Sequence, residues 1–404
     1  MKNYLFLSAV GVMMLAACSD DKVPLEGPET VQPGSELTLT LNSSGDGVES
    51  RANRPLNSSE AANNITAVQI RIYNPSGVDV TNTALMTGIQ NPMPWSGPTD
   101  TGTPGTADHK FSKTIKLNKL STDGTYTVVA YGYNNVLDYT ISGGGAAAEA
   151  FTATLPAATN ESELFAGRAN FTISNGLVTN QTNEVVMKRQ VAGLLGYFKN
   201  IPILYPEPTL GVPTVVAFVR VYASSHSSAF TFPSALSVNG TGNNTKTKVL
   251  EYDLSSILTA AVFGTQTTAA LATGDLSVKF TIPAINAGGV QTVPNSVLSG
   301  KFLIPFAQVA STTTFTVQLE SATGVVLKSW NIINSASANN KVYDVVRNYF
   351  YSIGQKVQAG NTNGGTPDPD TTSDDDNPID LSQETVITLT VNDAWDTIYN
   401  LGLE

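Results

Sequence analysis

Apolar and polar residues alternate in short runs along most of the chain, a period of two that is typical of strands with one buried face. In the run at 65–73, Val68, Ile70 and Ile72 share one face. Further runs of this kind occur at 36–42, 111–117, 125–133, 171–173, 184–188, 215–222, 276–282, 301–305, 314–319, 325–332, 341–353 and 385–391. The best helix candidate, 255–263, is short. The pattern predicts an all-β protein with short helices.

Two segments interrupt the strand pattern. Residues 82–108 are dense in Pro, Gly and Thr and predict a long surface loop. Residues 360–380 combine Gly, Asn, Thr and Pro with aspartates, a composition that predicts a flexible, solvated linker because it buries no core. A calcium site is the alternative for these carboxylates, but the segment lacks the ordered oxygen spacing and the turn glycine of an EF-hand loop.

The composition narrows the class of function. Charged residues make up 14% of the chain, against about 25% in an average globular protein. The net charge of −11 argues against a nucleic-acid partner, because no basic field is present. One cysteine excludes an intramolecular disulfide framework and a thiolate zinc site. We therefore predict a structural or binding protein with no cofactor and no metal site, rather than an enzyme.

Sequence motifs for catalysis are missing as well. The chain contains no G-x-S-x-G, phosphate-binding glycine loop, H-E-x-x-H or nucleotide fingerprint. Of its two histidines, His109 lies in a loop of Gly, Thr and Asp and His226 lies between serines, so both are predicted to be solvent-exposed. Carboxylate pairs for glycoside hydrolysis stay open, but nothing in the sequence singles out a pair. No catalytic residue is predicted.

The N-terminus has the features of a secretory signal: a lysine at position 2, then an apolar run of about 13 residues, too short to span a membrane as a helix. Leu15-Ala16-Ala17-Cys18 resembles the bacterial lipobox. That resemblance implies that Cys18 is diacylated and becomes the new N-terminus, so that the two acyl chains anchor the precursor to a membrane. An ordinary signal peptide with an incidental cysteine is the alternative.

Two strand patterns near opposite ends of the chain match each other. Leu37, Leu39 and Leu41 alternate with threonines, as do Ile387, Leu389 and Val391. Polar spacers separate each run from the rest of the chain, so we expect both to fit the same groove and the second to lie outside the domains. The first run is followed by an exposed segment containing Arg51 and Ala52, where we expect proteolytic cleavage.

Longer motifs resemble the type V fimbrillins of Bacteroidales, pilins that are made as lipoproteins. The resemblance rests on ITAVQIRIYN, TYTVVAYGYNN, ESELFAGRANFTI, EVVMKRQVAGLLGYFKNI, VYDVVRNYFYSI and NPIDLSQETVITLTVNDAW, the last containing Trp395. It implies two tandem Greek-key (transthyretin-like) β-sandwich domains, with a short helix at 161–166. The implied segments are a signal peptide, a propeptide, two domains and a linker with a donor strand, at 1–17, 18–51, 52–188, 189–360 and 361–404.

The same resemblance implies a function. An arginine-specific protease removes the propeptide strand after Arg51, and a donor strand (Ile387, Leu389, Val391 and Trp395) from a neighbouring copy fills the exposed groove. The partners would be other copies, other fimbrial subunits, the outer membrane through the precursor's lipid, and an unidentified host or bacterial receptor. The mature protein would then be a surface fimbria subunit that supports adhesion. The alternatives are a fimbrial anchor, a tip adhesin, or a glycan-binding lipoprotein with Trp95 as the candidate platform.

Overall fold

The alternating runs form strands in the computed structural model, which describes residues 37–44, 65–96, 99–101, 110–144, 151–157, 159–181, 184–233, 246–284, 292–308, 312–334, 341–356, 376–383 and 386–392. The strands are β1 (Leu37–Ser44), β2 (Ala67–Tyr73), β3 (Met93–Pro94), β4 (Thr99–Thr101), β5 (Lys110–Leu117), β6 (Gly124–Tyr133), β7 (Thr140–Gly143), β8 (Phe151–Thr154), β9 (Leu164–Ser174), β10 (Leu177–Gln181), β11 (Glu184–Arg189), β12 (Ala192–Lys199), β13 (Leu204–Pro206), β14 (Pro213–Val215), β15 (Phe218–Ala223), β16 (Ala229–Phe232), β17 (Thr247–Asp253), β18 (Ser296–Leu303), β19 (Phe315–Glu320), β20 (Val326–Asn334), β21 (Phe350–Ile353), β22 (Ile379–Asp380) and β23 (Ile387–Asn392). The helices are α1 (Thr81–Ala84), α2 (Leu254–Ile257) and α3 (Ala260–Thr273).

Strands from the first half of the chain form the N-terminal sandwich. Its hydrogen-bonded order is β3-β2-β6-β9-β11-β1-β5-β4, with β10 beside β9. Val68 and Ile70 of β2, which are fully buried, share one apolar cluster with Ile115 of β5 and Val185 of β11. Because this cluster joins opposite ends of the strand order, the sheet must fold over into two layers that face a common core.

The C-terminal sandwich repeats this arrangement with the order β17-β15-β19-β20-β23-β21-β12-β18, and β22 also pairs with β12. Val219 of β15 and Leu319 of β19 share a core with Leu194 of β12 and Ile353 of β21. Two layers again enclose one apolar interior. The predicted all-β class with β-sandwiches and short helices is confirmed.

The two sandwiches meet at a third, three-stranded sheet in the order β16-β8-β7. Residues Phe151–Thr154 pair antiparallel with Ala229–Phe232, so a strand from each half of the chain contributes to the same sheet. The rings of Phe151 and Phe232 stack with centroids 5.7 Å apart, and Tyr131 of the N-terminal sandwich contacts Phe232 edge-on at 5.4 Å. This shared apolar cluster holds the two sandwiches together.

Several local predictions differ from the structure. The 276–282 run is not a strand: it makes a single bridge, Lys279 to Pro202, although Phe280 and Ile282 are buried as the alternation predicts. Of 341–353, only the last four residues form a strand. In the segment before it, Val345 is fully buried and makes a single bridge to Phe306, so the pairing is too short to form a strand.

The helix predictions were also only partly right. The 255–263 candidate splits into α2 and the longer α3, which begins where the Thr259 hydroxyl accepts a hydrogen bond from the Val262 amide. It ends at Gly274, which has a positive φ of 60°. At 161–166 no helix forms, because β9 begins at Leu164 and pairs with β6.

Candidate functional site

The first candidate site is the slot that holds β1. This strand pairs antiparallel with β5 over its full length, Leu37–Ser44, and parallel with β11 from Thr40 to Ser43. The register sets Leu37 and Leu39 opposite Leu117 and Ile115, both buried core residues. Leu41 itself is fully buried in the same core. A strand from before the first domain therefore completes one layer of the N-terminal sandwich.

The second slot holds β23, which, like β1, lies between one parallel and one antiparallel strand. β23 pairs parallel with β20, Ile332–Asn334, and antiparallel with β21, Phe350–Ile353. Ile387 and Leu389 are both fully buried in the core of the C-terminal sandwich. The expectation that this strand lies outside both domains is wrong for this conformation.

The segment that leads into β23 is also different from the prediction. Residues 376–383 are not a solvated linker, because they are built into the C-terminal sandwich. The Asp376 carboxylate lies 3.0 Å from the Lys356 ammonium, both side chains being fully buried, and it accepts a hydrogen bond of 2.8 Å from the Tyr197 hydroxyl. Asp380 accepts hydrogen bonds from Asn200 and from the backbone and hydroxyl of Ser382. Paired and hydrogen-bonded in this way, these two aspartates are structural groups.

Several predicted site residues lie outside the described residues. These are Cys18, Arg51, Ala52, Trp395 and the four aspartates at 360–375. For Leu37, Leu39 and Val391 the structure describes the strand backbone. In the described parts of the chain, no group of three or more potential metal ligands is present. No helix among the described residues is both long and apolar enough to cross a membrane.

A buried polar cluster at the junction of the sandwiches was not predicted. The Glu161 carboxylate lies 2.6 Å from His226 Nε2 and 2.7 Å from the Lys301 ammonium, and it is 1% exposed. Burial alone would raise the pKa of Glu161. The hydrogen bond from His226 and the charge of Lys301 lower this pKa by more than burial raises it, so the net shift is downward. His226, expected to be exposed, is 10% exposed. Glu161, His226 and Lys301 come from three separate segments of the chain, so no local sequence pattern predicts the cluster.

Two other features bear on the glycan-binding alternative and on the predicted histidines. Trp95, the candidate glycan platform, is only 9% exposed and belongs to the N-terminal core. A cleft of about 210 Å³ lies on the outer face of β6, between its tyrosines and the segment after it, lined by Gln69, Tyr131, Tyr133, Asn135, Val136, Tyr139, Ile141 and Leu164. His109 lies outside the described residues. The described residues thus offer no exposed tryptophan platform for a glycan.

Comparison with known proteins gives matches at the level of structure. No family model matches the chain, and no curated protein matches it. Similar solved structures include the fimbrial anchor protein Mfa2 from Porphyromonas gingivalis, at 12% identity and a TM-score of 0.36, covering 79% of this chain and 90% of that one. They also include a fimbrial assembly protein from Parabacteroides distasonis, at 12% identity and a TM-score of 0.35, covering 80% and 92%. These similarities assign no function to this chain.

Proposed function

We propose that the chain is a structural subunit of a surface fimbria, which polymerises when its last strand moves into the N-terminal sandwich of a neighbouring copy. One observation carries the proposal: β1 and β23, near opposite ends of the chain, occupy equivalent slots in the two sandwiches. Each lies between one parallel and one antiparallel neighbour, and each completes a layer over an apolar core. A strand that fits one slot therefore has the features required by the other.

The residues of the two strands support this exchange. Aligned in sequence, Ile387, Leu389, Val391 and Asn392 take the places of Leu37, Leu39, Leu41 and Asn42. In β1, the first three of these positions are paired with β5, and Leu41 is fully buried. Burying an aliphatic side chain contributes on the order of 1.5–3 kcal/mol, so three at each junction would give a durable contact.

The number of paired residues in the two slots favours transfer of the donor strand into the β1 slot of a neighbouring copy. β1 is paired with β5 along all of Leu37–Ser44, whereas β23 is paired with β21 only over Leu389–Asn392. A donor strand that enters the β1 slot thus gains a longer ladder than the one it leaves. While β1 remains in place this slot is closed, which prevents assembly of the precursor.

Proteolysis after Arg51 would open the slot. β1 ends at Ser44 and β2 begins at Ala67, so the bond between Arg51 and Ala52 lies in the connection that joins β1 to its domain. After cleavage only non-covalent contacts hold β1, and a donor strand of similar sequence competes for its place. The resulting contact is head-to-tail and does not close on itself, so it gives a filament.

Lipidation of Cys18 belongs to the same proposal, because it would hold the precursor at the outer membrane before cleavage. Incorporation of labelled palmitate tests it directly. The wild-type precursor should be labelled and the Cys18→Ser variant should not. Equal labelling of the two would contradict the lipobox interpretation.

Polymerisation itself is tested by cleaving purified precursor with an arginine-specific protease and looking for a ladder on denaturing gels without boiling. A synthetic peptide of residues 386–395 should suppress the ladder, because it fills the open slot. The same peptide with Leu389→Asp should not, because it would place a charge against the apolar core. A ladder that grows equally in both peptides contradicts strand exchange.

A non-polymerising fimbrial anchor is the second candidate. The observation in its favour is that β23 lies in its own domain, as it would in a subunit that never donates a strand. The peptide experiment separates the two functions. A cleaved chain that stays monomeric, with no ladder in the absence of peptide, favours the anchor.

A further inference from the structure

The chain reaches β23 through a segment that is anchored to the C-terminal sandwich. β21 pairs in parallel with Gly193–Gly196 of β12, and β22 pairs in parallel with the next part of the same strand, at Phe198 and Lys199. β22 therefore continues the line of β21 along β12. The described chain runs to Lys356, resumes at Asp376 and rejoins this line at Ile379.

Backbone hydrogen bonds join the two sides of this interval in the described chain. The amide of Gln355 donates to the Asn377 carbonyl and the amide of Asn377 donates to the Gln355 carbonyl, both at 2.9 Å. Just before them Gly354 has a positive φ of 82°, and a Cβ there would collide with the Tyr197 carbonyl oxygen of β12. Glycine is required at this position because the backbone passes directly against the neighbouring strand.

A buried ion pair joins the same two parts of the chain. The Lys356 ammonium is 3.0 and 3.1 Å from the two Asp376 oxygens, with both side chains fully buried. Burial raises the pKa of Tyr197, so its hydroxyl stays protonated and donates to Asp376. Separating Asp376 from Lys356 would leave two buried charges without their partner.

The anchor extends beyond Asp376 to the end of the described segment. Asn200 donates to Asp380 at 2.6 Å, and the Leu381 amide donates to the Lys199 carbonyl at 3.0 Å. The Leu381 side chain is 3% exposed and belongs to the core. By contrast, Val386, the residue before β23, is 50% exposed. The hydrogen bonds and burial of 376–383 hold it separately from β23.

We infer that residues 376–383 act as a clasp, which stays docked on the C-terminal sandwich while only the chain after Gln383 is exchanged. This inference rests on the proposed function. Ile387 is the fourth residue after Gln383, so the first donor residue reaches at most about 14 Å from the clasp. A spacer formed by all 24 residues from 361 to 384, as the sequence predicted, would reach about 80 Å when extended. The acceptor's β1 slot must therefore lie directly against the clasp, as an end-to-end contact with a second copy.

Two disulfide staples in the precursor test this inference. Expressed from residue 19, the chain contains no natural cysteine. Gln355→Cys with Asn377→Cys would fix the start of the clasp to the end of β21. The two residues exchange backbone hydrogen bonds, and residues paired in this way lie close enough for a disulfide. Ser352→Cys with Thr390→Cys, which are opposite each other in β21 and β23, fixes the last strand in its own slot. Mass spectrometry confirms each disulfide before the protease is added.

The clasp predicts different results for the two staples after cleavage with the arginine-specific protease. The 355–377 staple should give a ladder like that of the unstapled chain, while the 352–390 staple should give none until it is reduced. If the 355–377 staple also stops the ladder, and reduction restores it, the clasp is wrong and strand exchange stands. If the 352–390 staple leaves the ladder intact, or unstapled chain forms none, the proposed function fails and the clasp fails with it.

Discussion

Ile387 of β23 lies beside Ile332 of β20 in parallel register, and both side chains are fully buried in the core of the C-terminal sandwich. The last strand is therefore part of its own domain before any exchange. A subunit that donates this strand must first break these contacts. Substitutions in β23 consequently affect the monomer as well as the polymer.

Truncation of Leu389 tests this directly. Leu389→Ala removes a fully buried side chain from the monomer core, so we expect the free energy of unfolding to fall by about 2–5 kcal/mol. Thr388→Ala, at the exposed neighbouring position, should change it by no more than about 0.5 kcal/mol. Urea unfolding of the uncleaved precursor measures both. Equal, small effects would show that β23 does not belong to the monomer core.

Lys356→Met should destabilise the C-terminal sandwich strongly. It leaves the buried Asp376 carboxylate without its cation, which typically costs about 3–5 kcal/mol. The double variant with Asp376→Leu removes both charges and should recover most of the loss. Thermal or urea unfolding provides the comparison, with Lys119→Met, an exposed lysine, as the control. A single variant as stable as the wild type would contradict the buried ion pair.

Acid should weaken the junction between the sandwiches through Glu161. Because its pKa is lowered in the folded protein, from an ordinary value of 4.5, the unfolded chain takes up its proton first as the pH falls. The stabilisation is complete above about pH 4.5 and is lost as the pH falls through the folded-state pKa. Glu161→Gln should therefore be less stable than the wild type at pH 7, with a difference that shrinks below about pH 4.5.

Unfolding free energies from pH 7 to pH 3 for these two proteins supply the test. Their difference should follow the titration of one carboxyl. A difference that stays constant over this range would mean that the Glu161 charge contributes nothing through His226 and Lys301.

Cleavage should occur at Arg51 and not at Arg54. Proline follows Arg54, and a proline after the scissile bond usually resists trypsin-like proteases. Arg51→Ala should keep the propeptide attached and the chain monomeric, while Arg54→Ala should mature normally. N-terminal sequencing of the surface form should read from Ala52. Peptides of Leu37–Leu41 in assembled polymer would contradict this site.

The strands were largely predictable because their cause is local. Val68, Ile70 and Ile72 alternate with polar residues, and each is fully buried in β2. In the 276–282 run the same alternation correctly indicated burial of Phe280, but strand formation also needs a partner, and sequence alternation alone does not supply one.

The polar features were not predictable, because they depend on residues far apart in the chain. Asp376 lies in an acidic, Pro-rich segment that has the composition of a linker, and its burial depends on Lys356 and Tyr197. His226 pairs with a glutamate 65 positions earlier. The likeness of β1 and β23 was visible in sequence, but their slots became visible only once the sheet order was known.

The central claim, that β23 of one copy occupies the β1 slot of another, is tested most directly by one cross-link. In β1, Thr40 lies opposite Thr114 of β5, and the alignment sets Thr390 at the Thr40 position. Precursor carrying Thr390→Cys, expressed from residue 19, is mixed with precursor carrying Thr114→Cys, cleaved after Arg51 and oxidised. The account predicts a mixed disulfide between the two chains, formed after cleavage but not before it, and weaker when Thr388→Cys replaces Thr390→Cys. Polymer that forms without this disulfide, or a disulfide that forms equally in uncleaved precursor, would contradict it.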